Sequence, residues 1–193
     1  MKIGCVVMAA GNAKRFGENK LAQLVDGKPI IRRSLEAIPK ECFDRVVVVT
    51  QFPAFSDYVK EFNFTDIRNT EPDKGVSYTI ELGLKELMDC DGVLFSVSDQ
   101  PLLRRRTVQA LVERWKTSPE KIAALGYDGV RGNPCLFPAR FFPELLALTG
   151  DTGGSAVIRR HEEDLLLVEA DARELMDVDT PEALNEVVNS LQR

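Results

Sequence analysis

The sequence predicts a three-layer α/β fold built on a mostly parallel sheet. Three observations carry that expectation. Continuous Val/Ile/Leu runs, such as RVVVVT and GVLFSVS, lack the polar alternation of a half-exposed strand, so both faces are buried. Segments with helical apolar spacing stand between these runs. No internal repeat, low-complexity tract or long linker breaks the 193 residues, which suits one domain over 1–193.

In chain order, residues 2–8 (KIGCVVM) read as the first strand. Pro29 opens the helical PIIRRSLEAI, because proline in a first turn forfeits no helical N–H bond. RVVVVT at 45–50 is the second strand, with a helix expected over 53–62. Apolar residues at Ile80, Leu82, Leu84, Leu87 and Met88 predict a helix over 76–88. GVLFSVS at 92–98 is the third strong strand, and the helical TVQALVERW follows it. Next come a strand over 121–127, a short strand over 135–137 and a helix over 141–148. LLLVE at 165–169 is the last strand, and Pro181 opens the helix PEALNEVVNSLQ.

Composition narrows the function classes. With 44% hydrophobic and 28% charged residues, the chain has the balance of an ordinary globule rather than a disordered segment. Its apolar runs are too short to span a bilayer, which predicts no membrane role. The first residues enter a strand without a signal-peptide layout. A net charge of −5 argues against nucleic acid as a partner, so any anion site must be local. Cysteines at 5, 42, 90 and 135 show neither a Cys-x-x-Cys pair nor zinc spacing. They read as reduced, packed thiols of a cytoplasmic protein.

In an open α/β sheet, ligands bind where strands end and loops lead into helices. Three loops at such places carry unusual chemistry. The first, AAGNAKRFGENK, sets Lys14, Arg15 and Lys20 beside the Gly11 turn. Glycine allows a sharp turn that presents backbone N–H groups. Arg15 is suited to gripping phosphate in a fork, and Lys20 supplies a point charge. The spacing is neither the P-loop nor the dinucleotide fingerprint, so a solvated turn stands beside the phosphate reading. The second loop, SDQP, places Asp99 at a strand tip as a Mg2+ ligand or a turn cap. In the third, Asp177 and Asp179 straddle Val178 before a helix. There Asp179 or Thr180 is a natural N-cap, and a second metal carboxylate is the alternative. The two aspartates are expected to divide the roles, with Asp179 the preferred ligand-side residue.

AAGNAKRFGENK resembles the signature loop of nucleotidyltransferases that activate cofactors and sugars. With SDQP, GVRGNP and DVDTPEAL in that order, the chain resembles the molybdenum cofactor cytidylyltransferase branch, including accessory relatives of molybdenum hydroxylases. The likeness spans about residues 6–184. It implies a Rossmann-like sheet of the nucleotide-diphospho-sugar transferase type. It also implies a reaction in which molybdopterin and a nucleoside triphosphate yield a dinucleotide cofactor and pyrophosphate. Carried over by motif, Ala9, Ala10, Gly11 and Ser77 lie at the nucleotide, while Arg15 and Lys20 hold its triphosphate. Asp99 holds Mg2+ with Asp179 or Asp177, and Arg131 and Asn133 face the pterin. Ala10-Gly11, where the guanylyl branch reads Gly-Gly, implies CTP as the partner nucleotide. A molybdenum hydroxylase apoenzyme is the downstream partner that the likeness allows.

The chain departs from the pattern at Ala13, where the family carries serine, and at Ser155, where it carries arginine. Arg159 and Arg160 stand one helical turn beyond. These departures give some support to a cofactor carrier or insertion chaperone without turnover. An enzyme using GTP or another phosphorylated metabolite is the other rival. The lone His161, in the polar RRHEED, reads as an exposed residue. Arg104, Arg105 and Arg106 oppose the dipole of the helix that they open and read as a solvated face.

Overall fold

The computed structural model describes residues 1–11 and 19–191. Its elements run β1 (Ile3–Ala9), a small hairpin of β2 (Leu24–Val25) and β3 (Lys28–Pro29), α1 (Ile30–Glu36), β4 (Arg45–Thr50), α2 (Ser56–Glu61), β5 (Thr65–Arg68) and α3 (Val76–Lys85). Then come β6 (Gly92–Val97), α4 (Arg105–Lys116), β7 (Ile122–Tyr127), β8 (Val130–Pro138), α5 (Phe142–Leu146), α6 (Ser155–Arg160), β9 (Leu165–Glu169) and α7 (Pro181–Ser190).

A seven-stranded sheet takes the order β5-β4-β1-β6-β8-β7-β9. Only β8 runs against its neighbours, pairing antiparallel with both β6 and β7. Alternate side chains of each strand feed opposite faces, so one run of valines builds two cores. Ile3, Cys5 and Val7 pack with Ile31 of α1, Val59 of α2, Leu111 of α4 and Val187 of α7. Val6, Val47 and Val49 pack on the other face with Ile80 of α3, Phe142 of α5 and Ile158 of α6. These are the three layers that the continuous apolar strands predicted. Cys5, Cys90 and Cys135 are buried, Cys42 is half-buried, and all four thiols are free. No helix among the described residues is long and apolar enough to cross a membrane.

The Arg131-Gly132-Asn133-Pro134 segment precedes and joins the short strand expected over 135–137. These residues lie within β8, nine residues long where three were expected. The turn before β8 is Asp128-Gly129, with φ of 49° and 75°. Two successive positive-φ residues match the twist of the flanking strands, and Asp-Gly between β-prone runs is the sequence signal for such a hairpin. β5 was not foreseen, because TDIR is short and half polar at the sheet edge. The helix expected over 76–88 ends at Lys85. Residues 53–55 and 139–141 form 3-10 turns that lead into α2 and α5.

Two contacts shape the rim of the sheet. Gly75, at φ 86°, opens α3 against the 149–151 loop; a Cβ there would stand 2.3 Å from the carbonyl carbon of Gly150. The Ser77 N–H then donates to the Gly150 carbonyl at 3.1 Å. At α4 the expected conflict with the helix dipole is answered by Glu174, only 3% exposed. Its Oε2 accepts from the Arg104 N–H at 3.0 Å, and its Oε1 lies 3.6 Å from the Arg104 guanidinium. Arg105 pairs with Glu41, so two of the three arginines are engaged rather than freely solvated. Glu174→Ala is expected to cost about 2 kcal/mol, the scale of a lost cap plus a broken buried ion pair. Urea denaturation would show this as a lower midpoint with an unchanged slope.

Candidate active site

β1 and β6 pair in parallel with Met8 opposite Val97, so their carboxyl ends open side by side. Ala10 and Gly11 leave one strand, and Ser98 and Asp99 leave the other. A cavity of about 320 Å3 lies above them, closed on the α3 side by Gly75, Val76 and Thr79. Pro72, Asp73 and Asp151 complete the far wall.

Lys20 begins a 3-10 turn over 20–22, which Asn19 caps by accepting from the Leu21 N–H at 3.2 Å. Leu21 is buried in the core and anchors the turn, which brings the ammonium back over the strand ends. Its Nζ stands 2.8 Å from Asp99 Oδ2 and 2.8 Å from Asp179 Oδ1. Burial alone lowers the lysine pKa, but the charges and hydrogen bonds of Asp99 and Asp179 together outweigh it and raise the value.

The third loop is tied to the second by the Val178 N–H, which donates to the Asp99 carbonyl at 2.8 Å. Val178 is fully buried, and the flanking aspartates diverge. Asp179 reaches Lys20, whereas Asp177 meets Gln100 and lines a separate depression. Thr180 caps α7, its Oγ1 accepting from the Ala183 N–H at 3.2 Å, so Asp179 is released from capping. Asp177 keeps contact with solvent. Even so, desolvation first, and the Asp99 charge second, push its carboxyl up to about 6.

Three successive residues at the tip of β6 carry unmatched acceptors. Ser98 Oγ, Asp99 Oδ1 and Gln100 Oε1 are buried and without hydrogen-bond partners among the described residues. Each such group costs about 1–3 kcal/mol when left unsatisfied. Oxygens of this kind, one of them anionic, are the donor set of a hard cation. Among the described residues, Asp99, Asp177 and Asp179 do not bring three possible ligand atoms within 4.8 Å of one another; His161, Glu163 and Asp164 do, through one ring nitrogen and two carboxylate oxygens. Two of its members are already engaged, however: His161 is hydrogen-bonded to Glu144 at 2.7 Å, and Asp164 pairs with Arg140 at 2.7 Å. His161 is half-buried rather than exposed, and it packs on Phe141 at 4.9 Å between ring centroids.

The expected site residues are only partly brought together. Ala10, Gly11, Lys20 and Asp99 line the main cavity, and the Ala10 carbonyl accepts from Gln51 Nε2 at 3.0 Å. Ala9 is buried at the end of β1, and Ser77 is buried without lining the cavity; Thr79, which sequence reasoning passed over, lines it instead. Arg15, with Ala13 and Lys14, lies outside the described residues. Arg131 and Asn133 are set apart from Lys20. With Ser155 they border both an apolar recess of about 170 Å3, floored by Phe95, Cys135 and Phe137, and an open depression of about 490 Å3 shared with Gln100 and Asp177. Arg160 is held 2.8 Å from Glu144, so it does not stand in for an arginine at Ser155.

A glycine at a strand end, a half-buried ammonium and the carboxylates that converge on it at the carboxyl ends of a parallel sheet define a protein that handles phosphorylated ligands. The chain belongs to the MobA-like NTP transferase domain family, which it matches over residues 5–165. It is a nucleotidyltransferase of that type. It is 29% identical to the purine catabolism protein PucB of Bacillus subtilis over 92% of this chain and 91% of that one. It is 27% identical to a probable molybdenum cofactor guanylyltransferase of Pyrococcus horikoshii, over 65% of this chain and 62% of that protein. Among solved structures, a nucleotidyl transferase from Methanothermobacter thermautotroptrophicus superposes with a TM-score of 0.83 at 20% identity, covering 100% and 98% of the chains. Rv0371C of Mycobacterium tuberculosis, solved in complex with manganese, gives 0.75 at 19% identity over 98% and 100%. These likenesses establish the nucleotide-diphospho-sugar transferase type of sheet.

Proposed function

We propose that this protein transfers CMP from CTP to molybdopterin, releasing pyrophosphate and forming the cytosine dinucleotide cofactor. In this reading it is one cytoplasmic nucleotidyltransferase domain over 1–193, which passes its product to a molybdenum hydroxylase apoenzyme. The observation that carries the proposal is the cavity between Ala10 and Gly11 at the end of β1 and the Lys20, Asp99 and Asp179 cluster.

The backbone of Ala9, Ala10 and Gly11, with Arg15 and Lys20, holds the triphosphate. The acceptor lies on the Arg131 and Asn133 side. An oxygen of its phosphate monoester attacks the α-phosphorus, and the bond from that phosphorus to the bridging oxygen breaks, so pyrophosphate leaves with the electron pair. The attacking phosphate is already anionic at neutral pH, and no protein base need make the nucleophile. This agrees with the pairing of the lone histidine to Glu144, outside the cavity lining.

The unmatched Asp99 Oδ1 fits Mg2+, with Asp179 on the same side and Asp177 as the alternative second carboxylate. Two protein carboxylates completed by substrate phosphates are the usual Mg2+ arrangement. Bound Mg2+ supplies charge that compensates the triphosphate and the departing pyrophosphate. Likeness to a protein solved with manganese supports a divalent ion of this kind.

The choice of CTP rests on Ala10, whose methyl narrows the cavity where the base rests and so favours one ring over two. One methyl supplies only about 1–3 kcal/mol of discrimination. GTP is the second reading, favoured by the likeness to guanylyltransferases. Pyrophosphate release measured with each of four nucleotides, with and without molybdopterin, tests the whole proposal. The expected result is release with CTP that depends on molybdopterin, and a partial gain of GTP use in Ala10→Gly. Preference for GTP in a direct competition would move the chain to the guanylyl branch. Absence of release with every nucleotide would favour a carrier.

A further inference from the structure

We propose that Lys20 is a resident counter-ion that keeps divalent cations off Asp99 and Asp179 until a triphosphate draws it away. The inference rests on the reading that these two carboxylates hold the metal ion. The Lys20 ammonium bridges them, 2.8 Å from Asp99 Oδ2 and 2.8 Å from Asp179 Oδ1. Mg2+ on the same pair would take its oxygens at about 2.0–2.1 Å and require a near-octahedral shell. A bridging ammonium and a bridging cation thus claim the same space and the same negative charge.

Only the side chain need move to release the pair. Asn19 caps the 20–22 turn and Leu21 is buried, so the backbone of Lys20 is fixed. Its four-carbon stem is flexible, and the residue lines the main cavity, so the ammonium can reach phosphate oxygens placed there. The charges decide when it moves. With the lysine bound, two carboxylates and one ammonium leave a single negative charge, and an arriving divalent ion meets the ammonium at close range. A triphosphate carries more negative charge than the two carboxylates together. It attracts the ammonium into the cavity and frees both carboxylates for the ion. Nucleotide and metal therefore bind with positive coupling, and Lys20 carries it. Removing the lysine has two effects of opposite sign: weaker triphosphate binding and tighter binding of the bare metal ion. A lysine that served only to hold the loops together would not strengthen metal binding when removed.

Electron paramagnetic resonance of free Mn2+, titrated with the full chain without nucleotide, tests this. Lys20→Met is expected to bind Mn2+ roughly ten- to hundredfold more tightly than the wild type, within the usual range of coupling between two sites. Lys20→Gln, whose amide can still donate to one carboxylate, should shift the same way and serves if circular dichroism shows Lys20→Met unfolded. Adding Asp99→Asn to either variant should abolish the gain. A gain that survived Asp99→Asn would overturn the proposal, because the ion would then bind away from this pair. Unchanged or weaker Mn2+ binding in the folded lysine variants would also overturn it. The metal reading would still stand if Asp99→Asn alone weakened Mn2+ binding in the presence of CTP, measured against a blank of CTP without protein. If that binding were unaffected, the ion would sit elsewhere and both readings would fall.

Discussion

Asp99→Asn is expected to reduce turnover by about 10²- to 10³-fold while the fold is retained, the scale seen when charge compensation at a transferring group is lost. The change keeps the size of the side chain and the backbone link in which the Asp99 carbonyl accepts from Val178. It removes the anion that Lys20 contacts at 2.8 Å and the charge on the buried Oδ1, which has no partner among the described residues. An amide oxygen can occupy that place but brings little charge to a divalent ion. Loss of the Asp99 charge should also lower the Asp177 pKa from about 6, because that charge is the second cause of its elevation. Steady-state pyrophosphate release with a thermal melt of the same sample measures the first effect, and carboxyl titration by NMR measures the second. A variant with near-normal turnover would make Asp99 a turn cap.

Lys20→Met is expected to lower both triphosphate affinity and turnover, with turnover falling by about 10²-fold. Unlike Asp99→Asn, it should also cost about 3 kcal/mol of stability at neutral pH, because two carboxylates lose their shared cation in a partly desolvated site. Its pH dependence has a definite sign. The folded lysine pKa lies above its ordinary 10.5, so the protonated form is favoured by folding. The stabilisation is fully present below that ordinary value and disappears as pH rises through the folded one. Denaturant midpoints should therefore fall for the wild type on the alkaline side of 10.5, and the gap to Lys20→Met should close there. A variant that kept both affinity and stability would show that the two ion pairs are ornamental surface contacts.

The layers of this fold were legible in the chain because their causes are local. Uninterrupted Val/Ile/Leu runs demand burial on both faces wherever they go, and the proline at 181 starts α7 as expected from its missing N–H. The reversed β8 was legible only in part. Cys135–Phe137 carried the apolar signal, but Arg131 joined the strand opposite Gly126 because the Asp128-Gly129 turn brings β7 alongside, and Asn133 falls in the irregularity before the Ala124–Cys135 pair.

The loops after β1 and β6 announced their chemistry through residue type, since glycine, lysine and aspartate at strand ends have few bland uses together. Their assembly was a different matter. Lys20 meets Asp99 across 79 positions and Asp179 across 159, and nothing near any of the three residues encodes the meeting. Residues two apart in an extended segment share a face, so alternation does not separate Asp177 from Asp179; Val178, buried and bonded to Asp99, decides which aspartate faces the lysine. Likewise Ser77 and Thr79 lie on one short helix. The phase of α3 against the sheet, set where Gly75 packs on Gly150, turns Thr79 to the cavity and Ser77 away from it. Residue chemistry and local conformation were thus properties of the sequence alone. Which groups share a cavity depended on packing between distant segments, whose free energy appears only when the sheet has formed.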